Sequence, residues 1–272
     1  MEKKVIILTG ASSGIGYQTA EMLARQGHIV YGAARRVEKM DALKQFGVKT
    51  LQMDVTKEES LDKAVKAIIA AEGRIDVLVN NAGYGSFGAI EDVSIAEARN
   101  QFDVNIFGAA MLTKKVLPFM RKQHSGTIIN ISSMGGRLTL YFGAWYHATK
   151  YALEAFSDAL RMETKGFGIN VTIIEPGGSK TPWGFIAADH LEESSKGGAY
   201  EEQAKKAAEG LRKLYSGNMM SSPEVIAKVI SRATNARHPK ARYLIGFGAK
   251  PLVFLHTILP TRWFDFIMMH IS

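Results

Sequence analysis

"TGASSGIG", Thr9–Gly16, decides the fold. It follows the β-branched run "KVIIL" (residues 4–8) and opens into a stretch with helical spacing from about Gly14 to Gln26. Glycines at 10, 14 and 16 let the backbone come close to a ligand, and the start of a helix offers unpaired N–H groups and a positive dipole end. Gly10, Ser12, Ser13, Gly14, Ile15 and Gly16 therefore form a candidate pyrophosphate cradle, and a dinucleotide is expected there.

The strand-then-helix pattern repeats outward from that loop. "HIVYGAA" (28–34), "VKTLQMDV" (48–55), "IDVLVNNAG" (75–83), "GTIINISS" (126–133), "INVTIIEPG" (169–177) and "ARYLIGF" (241–247) read as strands. Predicted helices separate them: "VEKMDALKQFG" (37–47) closed by Gly47, "KEESLDKAVKAIIAAEG" (57–73) stopped by Gly73, a long one from Ser94 to Lys122, and one from Ala144 to Lys165. "SPEVIAKVISRAT" (222–234) adds another, with Ser222 as cap and Pro223 at its first position. Near-continuous apolar strands belong to a parallel sheet buried on both faces, so helices must flank it. The expectation is an α/β protein with a Rossmann-type doubly wound parallel sheet, one domain over residues 1–272, binding ligands at the carboxyl ends of its strands. Residues 184–222 interrupt the alternation as a helical substrate lid, and residues 250–272 form an apolar C-terminal extension.

Composition narrows the class. With 46% hydrophobic and 22% charged residues the chain can bury a sizeable core, and it shows no repeat period. It has no cysteine, which excludes disulfides, thiol chemistry and thiolate metal sites. The start, "MEKKVIILTG", is interrupted by Gly10 too early for a signal-peptide core, and a cytoplasmic location is expected. The apolar end is broken by His256, Pro260, Arg262 and Asp265 short of the roughly 20 residues a span requires. No membrane span is expected; covering the pocket, packing on a subunit or touching a membrane surface are its open uses. A net charge of +8 favours anionic partners, yet the basic residues are dispersed, so no nucleic-acid partner is expected.

The end of the second strand selects the cofactor. An acid usually stands there to hold an unphosphorylated ribose, whereas "YGAARR" places Arg35 and Arg36 at that point. Guanidinium attracts a 2′-phosphate and can grip it bidentately, which points to NADP(H).

"SSMGGRLTLYFGAWYHATK" (132–150) carries the chemistry. Tyr146 and Lys150 stand at i and i+4 of a predicted helix, about 6 Å apart along its axis. A free phenol titrates near roughly 10, and a neighbouring ammonium is expected to lower that value. Tyr146 would then give its proton to a carbonyl oxygen in reduction and take it back in oxidation. Ser132 and Ser133 both stand at the end of the fifth strand, where alternation points only one of them at the site.

In order and spacing, "TGASSGIG", "DVT" (54–56), "NNAG" (80–83), Asn105, the serine pair, "YHATK" (146–150) and "PGGSKT" (176–181) resemble the short-chain dehydrogenase/reductase family over residues 3 to 185. "ARYLIGFGAK" is similar to its retinol and 17β-hydroxysteroid dehydrogenase-like branch. The resemblance implies an oxidoreductase acting on CH–OH donors with NADP(H). It selects Ser133, 13 positions before Tyr146, and gives Asn105 a water that connects Lys150 to solvent. It sets Asp54 and Val55 beside the adenine, Asn81, Ala82 and Gly83 beneath the ribose, and Thr181, after Pro176 and Gly177, at the carboxamide or pyrophosphate. His147 departs from the small residue common after the tyrosine and receives no catalytic role; His124 is read as a helix-end residue. A homodimer or homotetramer is implied.

Tyr84, Phe87, Leu138, Leu140, Tyr141, Phe142, Trp145, Trp183 and Phe185 are expected to wall the substrate side, which suits a lipophilic, steroid- or retinoid-like carbonyl or alcohol. The alternatives are a dinucleotide-binding sensor without catalysis, 3-oxoacyl reduction, and a sugar-nucleotide epimerase, a group with longer chains and another glycine spacing.

Overall fold

The computed structural model describes residues 2–271; Met1 and Ser272, the ends of the expected domain, lie outside the described residues. Strands β1 (Val5–Thr9), β2 (Ile29–Ala34), β3 (Lys49–Gln52), β4 (Val77–Asn80), β5 (Gly126–Ile131), β6 (Ile169–Pro176) and β7 (Arg242–Ile245) form one sheet in the order β3-β2-β1-β4-β5-β6-β7. Every pairing is parallel, as the apolar runs imply. Along β1, Ile6 and Leu8 face one layer while Val5 and Ile7 face the other. The first layer packs Leu23 of α1 (Gly14–Arg25) and Ile226 and Ile230 of α8 (Pro223–Asn235). The second packs Leu61 and Ile68 of α2 (Glu58–Glu72) with Leu112 and Val116 of α4 (Gly108–Gln123). A fully buried Leu or Ile contributes about 1.5–3 kcal/mol, so the two layers together hold the sheet rigid beneath its loops.

Chain order reverses between β1 and β4, and the loops after these strands, Thr9–Gly16 and Asn81–Gly83, diverge at that switch point. An open parallel sheet binds ligands in the crevice so formed.

Three local expectations change. Residues Val37–Phe46 wind as 3-10 turns rather than an α-helix, closed by Gly47 at φ 86°. The long helix is α3 (Ile95–Phe102) and α4 joined by a π turn, Asp103–Phe107, which widens where the Asn105 side chain bonds the Tyr84 backbone. Such π turns occur often at functional sites. Ser222 holds the cap position of α8, but its hydroxyl makes no cap bond; its carbonyl takes the Val225 N–H instead. The stretch expected as a helical lid is helical, forming α6 (Trp183–Ser194) and α7 (Glu201–Ser216), packed through Ala187, Ala188, Ala204 and Ala208.

Helix α5 (Ala144–Thr164) runs behind β5 and β6 and carries Tyr146 and Lys150. His124 ends α4 in the left-handed conformation. The C-terminal extension folds as α9 (Ala249–Ile258) and α10 (Thr261–Ile271), with Pro260 between them. Val253, Phe264 and Met268 turn inward onto Leu138 and Leu140, while Phe254, Ile258 and Trp263 stay exposed. Among the described residues no helix is long and apolar enough to cross a membrane.

Candidate active site

A single cavity of about 860 Å³ runs along the carboxyl ends of the strands. Every residue expected at the cofactor or catalytic site lines it, except Asn105. At one end lies the glycine loop. Gly10 has φ +70°, and a Cβ at Gly16 would stand 2.2 Å from the Gly10 carbonyl, so neither position tolerates a side chain. Ser13 is the N-cap of α1, yet its hydroxyl makes no cap bond, and the first turn holds no acid. A helix start left bare in this way suits an anion. Asn81 braces the loop, its amide donating to the Thr9 carbonyl (2.9 Å) while Thr9 Oγ1 accepts from the Asn81 and Ala82 N–H groups (3.0 and 2.9 Å). Asp54 is held by Thr56, whose N–H and hydroxyl both donate to Oδ1. Arg35 and Arg36 are exposed, line the same cavity and form no ion pair among the described residues. The donors and the room fit a dinucleotide.

At the other end stand Ser133, Tyr146 and Lys150. The Ser133 hydroxyl faces the Tyr146 phenol and accepts from the Gly135 N–H at 3.0 Å. Ser132 turns the other way, beside Gly136 and Glu154. Lys150 Nζ donates to the Ile131 carbonyl at 2.9 Å and stands 5.8 Å from the centroid of the Tyr146 ring. Asn105 lies behind them: Oδ1 accepts from the Tyr84 N–H, and Nδ2 donates to the Tyr84 carbonyl and Thr149 Oγ1. Both side-chain donors are thus committed, so a water there would have to use Oδ1 or the backbone of the π turn.

The electrostatics differ from the expectation. Burial pushes the Tyr146 phenol up to about 12, offset in part by the Ser133 hydrogen bond, and no acidification by Lys150 is evident. Burial likewise pulls Lys150 down to about 8, opposed by the charge of Glu154 one turn further along α5. Desolvation is the largest cause of both shifts, because each side chain is largely buried. Glu154 and Glu175, both buried, sit in an ionic cluster with partly exposed partners: Arg242 reaches Glu154 (3.1 Å), Glu175 (3.3 Å) and Asp158 (2.5 Å), and Arg137 reaches Glu175 (3.2 Å). Removing the Glu154 charge removes what holds the Lys150 proton on. Glu154→Gln is therefore expected to shift the alkaline limb of a pH–rate profile to lower pH, by on the order of one unit. An unmoved limb would show that Lys150 does not govern it.

The substrate side is apolar but differs from the expected wall. Tyr84, Phe87, Leu140, Tyr141 and Trp183 line the cavity, and the Trp183 ring lies 5.0 Å from that of Tyr146. Leu138 and Phe142 are instead core, and Phe185 is exposed on the lid. Trp145 does not line the cavity either. In their place stand Ala207, Leu211, Leu214 and Tyr215 of α7 and Leu252 and Met268 of the C-terminal helices. The α7 residues recur at i, i+4, i+7 and i+8, a helical stripe that could have identified them.

Known proteins share this design. The family model for the short chain dehydrogenase matches residues 4–187. A probable short-chain type dehydrogenase/reductase, VdlC, of Helicobacter pylori is 38% identical over 262 residues, covering 95% of this chain and 94% of its own. The 3-ketodihydrosphingosine reductase of Bacteroides thetaiotaomicron is 44% identical over 182 residues, 66% of each chain. The crystal structure of a short-chain dehydrogenase from Streptomyces avermitilis superposes with a TM-score of 0.80 at 35% identity, covering 94% of this chain and 93% of its own. With the glycine loop, the parallel sheet and the Ser133, Tyr146 and Lys150 constellation in place, the chain belongs to the short-chain dehydrogenase/reductase family of oxidoreductases.

Proposed function

We propose that this protein is an NADP(H)-dependent oxidoreductase that interconverts a lipophilic carbonyl compound and its alcohol. One observation carries the reading: the phosphate cradle with its two arginines, the Ser133–Tyr146 pair and an apolar chamber are segments of one continuous cavity. Gly10, Ser12–Gly16, Asp54, Val55, Asn81–Gly83, Pro176, Gly177 and Thr181 would hold the dinucleotide, with Arg35 and Arg36 at the 2′-phosphate. The nicotinamide supplies or takes up the hydride when bound. Ser133 orients the carbonyl oxygen, and Tyr146, whose proton is firmly held in this site, is the acid that protonates it. Lys150 and Asn105 stand behind the phenol where a proton is returned from solvent.

Apolar walls from the lid and from Leu252 and Met268 suit a long-chain or polycyclic substrate. The Bacteroides relative, a reductase of a long-chain ketone by its name, supports that class. The test is NADPH oxidation with steroid ketones, retinaldehyde, long-chain aliphatic ketones and acyl thioesters, each repeated with NADH. Turnover is expected with an apolar ketone or aldehyde and NADPH; a protein that binds NADPH yet consumes none with any of the panel would refute the proposal.

A further inference from the structure

We infer that His147 is a clasp that fixes the substrate-side loop Gly135–Gly143 and through it determines which carbonyl compounds the chamber admits. The inference rests on the function proposed above for the admission of carbonyls; the clasp itself rests on geometry. His147 is 2% exposed, and both ring nitrogens are bonded to the backbone of one loop. The Leu140 N–H approaches Nε2 at 3.0 Å, and Nδ1 lies 2.9 Å from the Gly135 carbonyl. A backbone N–H can only donate and a carbonyl can only accept, so Nε2 is the acceptor and Nδ1 carries the hydrogen. The ring is held as one neutral tautomer, and burial keeps its pKa down at about 4.

The loop is shaped to receive this ring. A Cβ at Gly135 would stand 2.6 Å from Nδ1, and one at Gly143 would stand 2.5 Å from Nε2, so both ends of the loop close on the imidazole through glycine. Between them Phe142 adopts φ +60°, a left-handed conformation that a bulky residue rarely takes unless its surroundings impose it. Those surroundings are the His147 bonds on one side and, on the other, the Gly88 N–H donating to the Phe142 carbonyl at 2.9 Å. The held segment presents Leu140 and Tyr141 to the cavity. His147 also stands edge-on to the Tyr146 ring at 5.5 Å, so the same side chain registers the chamber wall against the acid without touching the reacting atoms.

His147→Phe keeps an aromatic ring and removes both bonds; His147→Gln keeps one donor and one acceptor. Hydrogen exchange of the Leu140 amide, read without substrate, is expected to speed up about 10-fold or more in the Phe variant and less in the Gln variant. KM for a bulky carbonyl should rise about 10-fold in the Phe variant with partial recovery in Gln, while kcat for a small aldehyde and NADPH affinity stay within about 3-fold. Should the Phe variant not fold, the wild-type ring decides: nitrogen-15 correlation must show the Nδ1–H tautomer, untitrated down to about pH 5. An Nε2–H tautomer, unchanged Leu140 exchange, or KM rising equally for all substrate sizes would overturn the clasp. Wild-type protein that reduces no carbonyl would instead refute the proposed function, a result separate from the exchange rates.

Discussion

Tyr146→Phe is expected to lower turnover by about 10²–10⁴-fold while NADPH affinity changes by less than about 3-fold. The substitution removes one oxygen from a residue that is 8% exposed and whose ring packs against Phe87 and Trp183, so the cavity keeps its shape. What disappears is the phenolic proton that faces Ser133. With its pKa pushed to about 12, the phenol holds its proton throughout the neutral range, which makes it the donor to a developing alkoxide rather than a ready base. The Phe variant leaves that negative charge with the Ser133 hydroxyl alone, and the loss of about 3–5 kcal/mol of transition-state stabilisation follows. Single-turnover reduction, started by adding a carbonyl substrate to the NADPH complex, reads the effect on the chemical step. A Phe variant that keeps a tenth of the wild-type rate would assign the proton to another group.

Which of these features could be read in the chain depends on how local their cause is. The sheet and its parallel order were legible because strands buried on both faces must be apolar throughout, as Val5–Leu8 and Val77–Val79 are. The glycine loop was legible because only glycine fits where the Gly10 carbonyl nearly touches Gly16. Tyr146 and Lys150 share a helix, and their spacing alone sets them on one face. His147 was not legible as a clasp: its partners, Gly135 and Leu140, become its neighbours only when the loop folds back over α5. The direction of the Tyr146 shift failed for the same reason, since its burial is built by Phe87 and Trp183, both remote in the chain, and outweighs the one neighbour the spacing reveals. The π turn at Asn105 likewise depends on the Tyr84 backbone, some twenty residues away in the chain.

Cofactor choice offers the second large effect. Arg35→Asp is expected to reverse preference, changing the NADPH-to-NADH ratio of kcat/KM by about 10²–10³-fold. Arg35 is exposed at the rim of the cavity just past β2, and its charge acts on Asp54. A charge-assisted hydrogen bond to a phosphate contributes about 1.5–3 kcal/mol, so losing the guanidinium alone accounts for about 10- to 100-fold. The introduced carboxylate adds repulsion against a 2′-phosphate and, at the same time, an acceptor for a free ribose hydroxyl. Two opposing consequences then act on the two cofactors, which is why the ratio moves further than either constant. Arg36→Ala, which removes a charge without adding one, should show the smaller, NADPH-only loss. The comparison needs only steady-state rates with both cofactors at one salt concentration, because exposed charge pairs weaken as ionic strength rises. If Arg35→Asp left the ratio unchanged, the arginines would be strand-end surface charge, and the cofactor preference would have to be set by other residues of the cavity.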